Sequence, residues 1–412
     1  MTRGWGIVAT LFVTLFLVFG GGFNTAGVFF TPLLDHFGWS RAQLSLLQTA
    51  LALSAGLGTP LVGLLLDRIE ARMVIAAGAA LSGAGFIVAS RADAFGTMLA
   101  AYTLLGVGLS ASTLLPCSLV VANWFGARRG LALGLTMAGT SAGGMAMTLV
   151  ASRAIADAGW RAAYVTLALP MLLVVVPLVI ITVRTRPRAA AAVTVAQAAD
   201  ALPGLEVGDA LRARSFWLIA VAQFAFAFAV TGTNLHGVPY LIGIGYSAAR
   251  AAEMLSLIFG IAALGKLVMG TLADRIGARR ALVVNFALTA IGMLTLLRAD
   301  DAVMATVFIA IYGLAVGAPL TLVPLLIAES LGLKRFGALS GLAGLFNVLG
   351  AAIGPVVAGR VFDATGSYTG AFQLFTVALA AGAAATFGCV SLGVHTERAR
   401  SDAILRQATP TP

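Results

Sequence analysis

The chain has 412 residues, 60% of them hydrophobic and only 10% charged, with a formal net charge of +10 at pH 7. A water-soluble domain of this length could not carry so apolar a surface, so the lipid bilayer is its solvent. The basic residues stand in short loops between apolar stretches rather than on one soluble face, which excludes nucleic acid as a partner.

A spanning helix needs about 20 mostly apolar residues. Such stretches occur at 6–34, 41–66, 73–90, 95–122, 130–156, 160–183, 216–245, 248–273, 279–298, 302–329, 336–361 and 369–394, which predicts twelve transmembrane helices. Strand-like alternation is absent, so an all-α membrane protein is expected rather than a barrel. The first span is too long and too glycine-broken for a cleaved signal peptide and stays as a helix. Residues 184–214 place Arg184, Arg186, Arg188, Arg212 and Arg214 around an Ala-rich stretch, the composition of a linker. The expected organisation is an N-terminal six-helix bundle at 1–183, a cytoplasmic linker at 184–214, a C-terminal bundle at 215–396 and a polar tail at 397–412. With both termini in the cytoplasm, 18 of the 26 Lys and Arg residues lie inside and 7 outside, the bias expected of a bacterial inner-membrane protein. Cys117 and Cys389 fall within the fourth and twelfth apolar runs, a setting for core packing rather than for a metal or disulfide. The three histidines are too dispersed for a catalytic set and there is no Walker sequence, so neither an enzyme nor an ATP-driven pump is expected, and no cofactor or metal is implied.

Sliding the sequence against itself by 207 residues aligns three blocks without a gap. Pro32 and Leu34 meet Pro239 and Leu241, and Gly38-Trp39-Ser40 meets Gly245-Tyr246-Ser247. Gly63, Asp67, Arg68, Ile69, Ala71 and Arg72 meet Gly270, Asp274, Arg275, Ile276, Ala278 and Arg279, while Arg128, Gly130 and Gly134 meet Arg335, Gly337 and Gly341. Six spans per half is an even number, so the two halves are parallel repeats. Gly63 and Gly270 would let two helices approach closely, and Asp67 and Asp274 would oppose the positive amino-terminal end of a neighbouring helix. With Arg68, Arg72 and Arg275 they would form a gating latch; the alternative is that the arginines only set topology.

The stretches Gly63-Leu-Leu-Leu-Asp67-Arg68-Ile-Glu-Ala-Arg72 and Gly270-Thr-Leu-Ala-Asp274-Arg275-Ile-Gly-Ala-Arg279-Arg280 resemble the loop signature of the major facilitator superfamily. The first copy departs from the pattern at Glu70 and Met73, where glycine and a second base are usual. The resemblance covers nearly the whole chain and implies two six-helix bundles rocking about a central cavity. Further stretches, Phe29-Phe30-Thr-Pro32-Leu-Leu, Asn123-Trp124-Phe125-Gly-Ala-Arg128-Arg129-Gly130 and His236-Gly-Val-Pro239-Tyr240-Leu241, are similar to the bacterial monocarboxylate transporters and oxalate/formate exchangers. That likeness implies small organic anions such as lactate or pyruvate, or oxalate or formate, held by a cation of the eighth helix, with a proton as the coupling ion and a monomeric carrier in the bilayer.

Lys266, one of two lysines, is the sole base well inside a span, where an ion costs about 2.5–3.5 kcal/mol on insertion scales. It lies about 12 Å above Asp274, and its side chain leans away from the nearer water. The functional reading is a carboxylate-binding cation; the alternative is a structural lysine paired with carbonyls. The resemblance places the family's helix-8 base at Lys266, though arginine is commoner there, and Ala262 stands where some members have an acid. Lysine offers a point charge without the bidentate fork and can release a proton that arginine keeps. Asn24 and Thr231 are repeat-equivalent ligand candidates, and Tyr312, Phe346 and Asn347 are expected to line the cavity. His236, with Tyr240 one turn on, is expected at the outer mouth, either as a gate or as a packed, hydrogen-bonded histidine. The competing functions are a drug or amine exporter, which would need an acid in the cavity, and a non-transporting membrane sensor.

Overall fold

The computed structural model describes residues 2–125, 128–184 and 204–392, with every side chain in them except those of residues 2, 3, 67 and 129. Most of the expected linker and the whole of the expected tail at 397–412 therefore lie outside the described residues. Eleven apolar helical runs are long enough to cross a bilayer. They are α1 (Gly4–Phe37), α2 (Arg41–Leu66), α3 (Ala71–Ser90), α4 (Phe95–Trp124), the 53-residue run Gly130–Thr182, then α7 (Arg214–Gly243), α8 (Ala248–Ile276), α9 (Ala278–Leu296), α10 (Ala302–Leu331), α11 (Phe336–Thr365) and α12 (Thr369–Phe387). The long run breaks at Gly159, whose φ of 79° and ψ of 170° are not helical, giving α5 (130–158) and α6 (160–182) and a total of twelve among the described residues. Its repeat-equivalent Gly366 has φ 71° and turns the chain between α11 and α12. A side chain at either position would be strained, which is why both are glycine.

Successive spans run in opposite directions, so the bundle has a linker face, where α6 ends and α7 begins, and a face opposite it. Sequence duplication reappears as duplicated packing. In the N-terminal half Gly85 lies against the Leu105 backbone and Gly106 against that of Leu51; 207 residues later Gly292 lies against Tyr312 and Gly313 against Ile258. Gly143 of α5 meets the Phe16 backbone of α1, and its equivalent Gly350 of α11 meets that of Phe224 in α7. A Cβ would collide with backbone at Gly106, Gly143 and Gly350 and would press tightly on its neighbours at Gly85, Gly292 and Gly313, so small residues set the helix spacing where the bilayer offers no hydrophobic drive for association.

Several sequence expectations need correction. The twelfth helix ends at Phe387, not 394, and Cys389 lies beyond it. There the chain is tied to neighbouring helices instead of continuing its own ladder: Val390 N donates to Ser215 Oγ (3.1 Å) and Arg279 donates to the Cys389 carbonyl (2.9 Å). Gly63 and Gly270 make no close crossing, since the nearest atoms to a Cβ there would be Leu115 at 4.0 Å and Thr321 at 3.8 Å. The amino-terminal end of α9 is not met by Asp274, which is exposed; Glu329 at the end of α10 accepts from Ala278 N at 3.0 Å. Arg72 pairs within its own loop, 2.5 Å from Glu70. Arg68 and Arg275 are exposed, and the Asp67 side chain is outside the described residues.

The described end of the linker is docked on the C-terminal half. Leu205 N donates to Leu331 O (2.9 Å), and Glu206 holds Lys334 at 3.0 Å and Arg335 at 2.9 Å, ahead of a short helix Val207–Arg212. Hydrogen bonds from Arg335 and then Lys334 push the Glu206 carboxyl down to about 2. Because its folded pKa lies below the unfolded value, this docking is present above pH ~4.5 and is lost as pH falls toward 2. Cleavage within 204–213 by an acid protease should rise across that window, and Glu206→Gln should already show the raised rate above it. At the crossings, Gly350→Leu should destabilise by about 1–3 kcal/mol through overpacking. Gly344→Ala, with open space around it on the same helix, should leave the thermal unfolding midpoint in detergent unchanged.

Candidate functional site

The two halves meet along three seams. On the seam of α2 and α11, Thr49 donates to the Ala352 carbonyl (2.5 Å), and Gly56 and Gly359 lie tight against Val348 and the Arg41–Ala42 backbone. On the seam of α1 and α7, Gly27 abuts the Asn234 carbonyl, and on that of α5 and α8, Ser256 donates to the Met145 carbonyl (2.8 Å). These contacts run from the face opposite the linker to mid-depth. Nearer the linker face the outer sides of α2 and α8 are uncovered, with Leu57, Leu61, Leu64, Leu264 and Leu267 60–69% exposed.

The opposite face is closed by a polar cluster. Both Asp363 oxygens accept from the first amides of α2, Arg41 N at 3.1 Å and Ala42 N at 2.9 Å, so a carboxylate of one half caps a helix of the other. Ser40 and Gln43 complete a capping box there. The Arg41 guanidinium lies 3.8 Å from the Phe362 ring centroid and donates to Tyr368 Oη at 2.6 Å. His236 is fully buried, with Nδ1 2.9 Å from Tyr368 Oη and Nε2 2.9 Å from the Pro355 carbonyl and 3.0 Å from Ser45 Oγ. A carbonyl only accepts and Ser45 already donates to Arg41 O, so the Nε2 nitrogen carries the proton and Nδ1 accepts from Tyr368. The expected outer-mouth histidine is thus the packed, fully hydrogen-bonded alternative, and Tyr240 stands edge-on to Tyr368 and Phe372 beside it.

At mid-depth lies a cavity of about 170 Å³ between α1, α2 and α7. The repeat-equivalent Asn24 and Thr231 both line it, together with Phe23, Gln48 and Asn234. The helical hydrogen bonding of α1 is interrupted at Asn24 and Thr25, and this aims the Asn24 amide across to the Thr140 carbonyl of α5 at 3.2 Å. Tyr312 does not line the cavity. It is fully buried behind it and donates to Asn234 Oδ1 at 3.1 Å, so it supports the wall. Phe346 packs edge-on against Trp217 near the linker-face end of α7, away from the cavity lining, and Asn347 is likewise not a lining residue.

Lys266 points into the protein rather than to lipid, and its side chain crosses to the other half. Its ammonium donates to Thr140 Oγ1 at 3.0 Å and Ser141 Oγ at 2.8 Å on α5. Space for it comes from an interruption of α10, where a Cβ at Gly317 would lie 3.1 Å from Lys266 Cε. Among the described residues no carboxylate pairs with it, so two neutral hydroxyls hold a full charge at mid-depth. Lys266 and the cavity wall share one neighbour: Thr140 accepts from Lys266 through its hydroxyl and from Asn24 through its carbonyl. Gln48, Asn234, Thr140 and Ser141 carried no mark in the sequence, since no motif set them apart from the polar residues that pack within spans.

Comparison with known proteins agrees with this architecture. The sequence profile of the Major Facilitator Superfamily matches residues 11–265 and 245–409. The chain is 25% identical over 366 residues to an uncharacterized MFS-type transporter, YcxA, of Bacillus subtilis, covering 87% of this chain and 88% of that one. It is also 25% identical over 397 residues to monocarboxylate transporter 13 of Rattus norvegicus, covering 94% and 91%. Its fold resembles that of a bacterial homolog to the human lysosomal transporter Spinster, with a TM-score of 0.74 and 18% identity over 93% of this chain and 96% of that one. It similarly resembles the nucleoside transporter NupG, with a TM-score of 0.76 and 12% identity over 93% and 98%. Twelve duplicated spans around a polar mid-depth seam and a profile match across both halves lead to one assignment: the chain belongs to the major facilitator superfamily of membrane transporters.

Proposed function

We propose that this transporter carries small organic anions of the monocarboxylate class by alternating access, with the Lys266 ammonium holding the carboxylate. The observation that supports this reading is a partly buried, mid-depth cation that, among the described residues, has no carboxylate partner and donates to neutral hydroxyls of the opposite half. A charge so placed is incompletely compensated, and an anion would supply the missing partner. An amine exporter would need an acid at this level, whereas the mid-depth cavity is lined only by amide, hydroxyl, aromatic and aliphatic residues. The monocarboxylate transporters among the 25%-identical relatives add support from sequence.

In this scheme the linker face is cytoplasmic, as the positive-inside bias requires, and the conformation is closed to the outside by Arg41, Asp363, Tyr368 and His236. In this reading the carrier acts as a monomer in the bacterial inner membrane, one chain supplying both six-helix halves of the fold. Opening to the outside must break the Asp363 cap and the histidine's bonds to Ser45. An imposed proton gradient drives accumulation because the anion and a proton cross together, and their paired movement is electroneutral. The exposed Arg68, Asp274 and Arg275, with Asp67 and the partly exposed Arg72, take up gating contacts when the linker face closes.

Reconstituted in liposomes, the protein should accumulate labelled lactate or pyruvate under an inward proton gradient, and a protonophore should collapse the accumulation. Lys266→Ala should abolish uptake while the protein remains folded, and Lys266→Arg should retain part of it; unimpaired uptake by the alanine variant would sink the site. Asp363→Asn removes the charge that caps α2, worth about 1 kcal/mol at a helix end, and should shift the population roughly fivefold toward the outward-open state. Distances between spin labels across the outer face would read that shift.

A further inference from the structure

The mid-depth cavity has a chemistry that the ammonium does not explain. Gln48 is 95% buried, and its Oε1 has no hydrogen-bond partner among the described residues, although the residue lines the cavity. Beside it stand the Asn24 and Asn234 amides, the Thr231 hydroxyl and the Phe23 ring, with no charged group in the lining. A buried amide oxygen left without a donor costs about 1–3 kcal/mol, so a position that keeps one is suited to a ligand that supplies the donor.

Resting on the carboxylate reading of Lys266, we infer that this cavity is a second, uncharged subsite, and that the carried molecule is a monoanion with a neutral hydrogen-bonding group at its far end. The carboxylate lies on Lys266 and the tail passes Thr140, whose hydroxyl accepts from Lys266 and whose carbonyl accepts from the cavity-lining Asn24. A water molecule's share of liquid volume is about 30 Å³, so 170 Å³ holds roughly five or six non-hydrogen atoms. A hydroxyl is well matched to the wall because it both donates and accepts, and so satisfies Gln48 whichever way its amide is turned. A second carboxylate would be desolvated there without a cation, so dianions are rejected.

Four acids of matched length test this on the full-length protein: butyrate, 4-hydroxybutyrate, succinamate and succinate. Their half-saturating concentrations are read from ligand-induced rises in the thermal unfolding midpoint. The hydroxyl- and amide-bearing acids should bind about 5- to 10-fold more tightly than butyrate, the worth of one or two neutral hydrogen bonds. Succinate should bind at least tenfold more weakly than butyrate. Gln48→Leu should bring the ratio of 4-hydroxybutyrate to butyrate close to one, and the isosteric Thr231→Val provides the same readout if the leucine variant fails to fold. Equal binding of butyrate and 4-hydroxybutyrate by the wild type, with both lost in Lys266→Ala, would overturn the subsite and leave the anion reading standing. Binding of none of the four would overturn both.

Discussion

A single ammonium group ties the two halves of this molecule together at mid-depth. An ion buried at that depth is costly unless something compensates it, and here the compensation is two hydroxyl oxygens on a helix of the other half. Such a partnership has two physical consequences. It holds the halves together at mid-depth only while α5 and α8 stay in register, so it yields when they separate. It also leaves the charge unneutralised, so any anion that reaches it gains more than it would from a salt-bridged lysine.

The closure at the opposite face has a different character. Asp363 meets the exposed end of α2, while His236 is buried with all of its ring hydrogen-bonding capacity used. Exposed groups exchange readily with water, but a buried ring stripped of Ser45, Tyr368 and Pro355 must be rehydrated before the face can open. The cap therefore contributes modest, easily exchanged stability, and the histidine sets a sharper threshold.

Much of this was legible in the sequence, because bilayer thickness dictates span length and duplication leaves a fixed offset. All twelve spans appear near their expected places, and the repeat-equivalent Asn24 and Thr231 face one cavity. The errors arise where tertiary contacts override local pattern. An apolar run past Phe387 reads as helix, but ties to Ser215 and Arg279 turn it aside. Gly63 and Gly270 carry the family signature, yet the close crossings belong to Gly143 and Gly350, which stand in no recognisable motif. Phe346 looks like a cavity aromatic by depth alone; the rotation of α11 sends it to Trp217. Gln48, Thr140 and Ser141 could not be singled out, since their significance lies in what faces them across the seam.

The offset that exposes the duplication also separates scaffold from chemistry. Several glycine crossings recur at equivalent positions in both halves, whereas, apart from Asn24 and Thr231, the polar groups of the seam are not matched: Lys266 corresponds to Thr59, Gln48 to Leu255, His236 to Phe29, Asp363 to Ala156 and Arg41 to Ala248. A rocking motion needs two bundles of matched shape, and packing maintains that match. The polar groups that stand in the seam are under no such constraint, and most of them differ between the halves. Thr140 shows the division most directly, because its equivalent is Asn347: one faces a cation across the seam, and the other lies away from the cavity lining on a helix of the same shape.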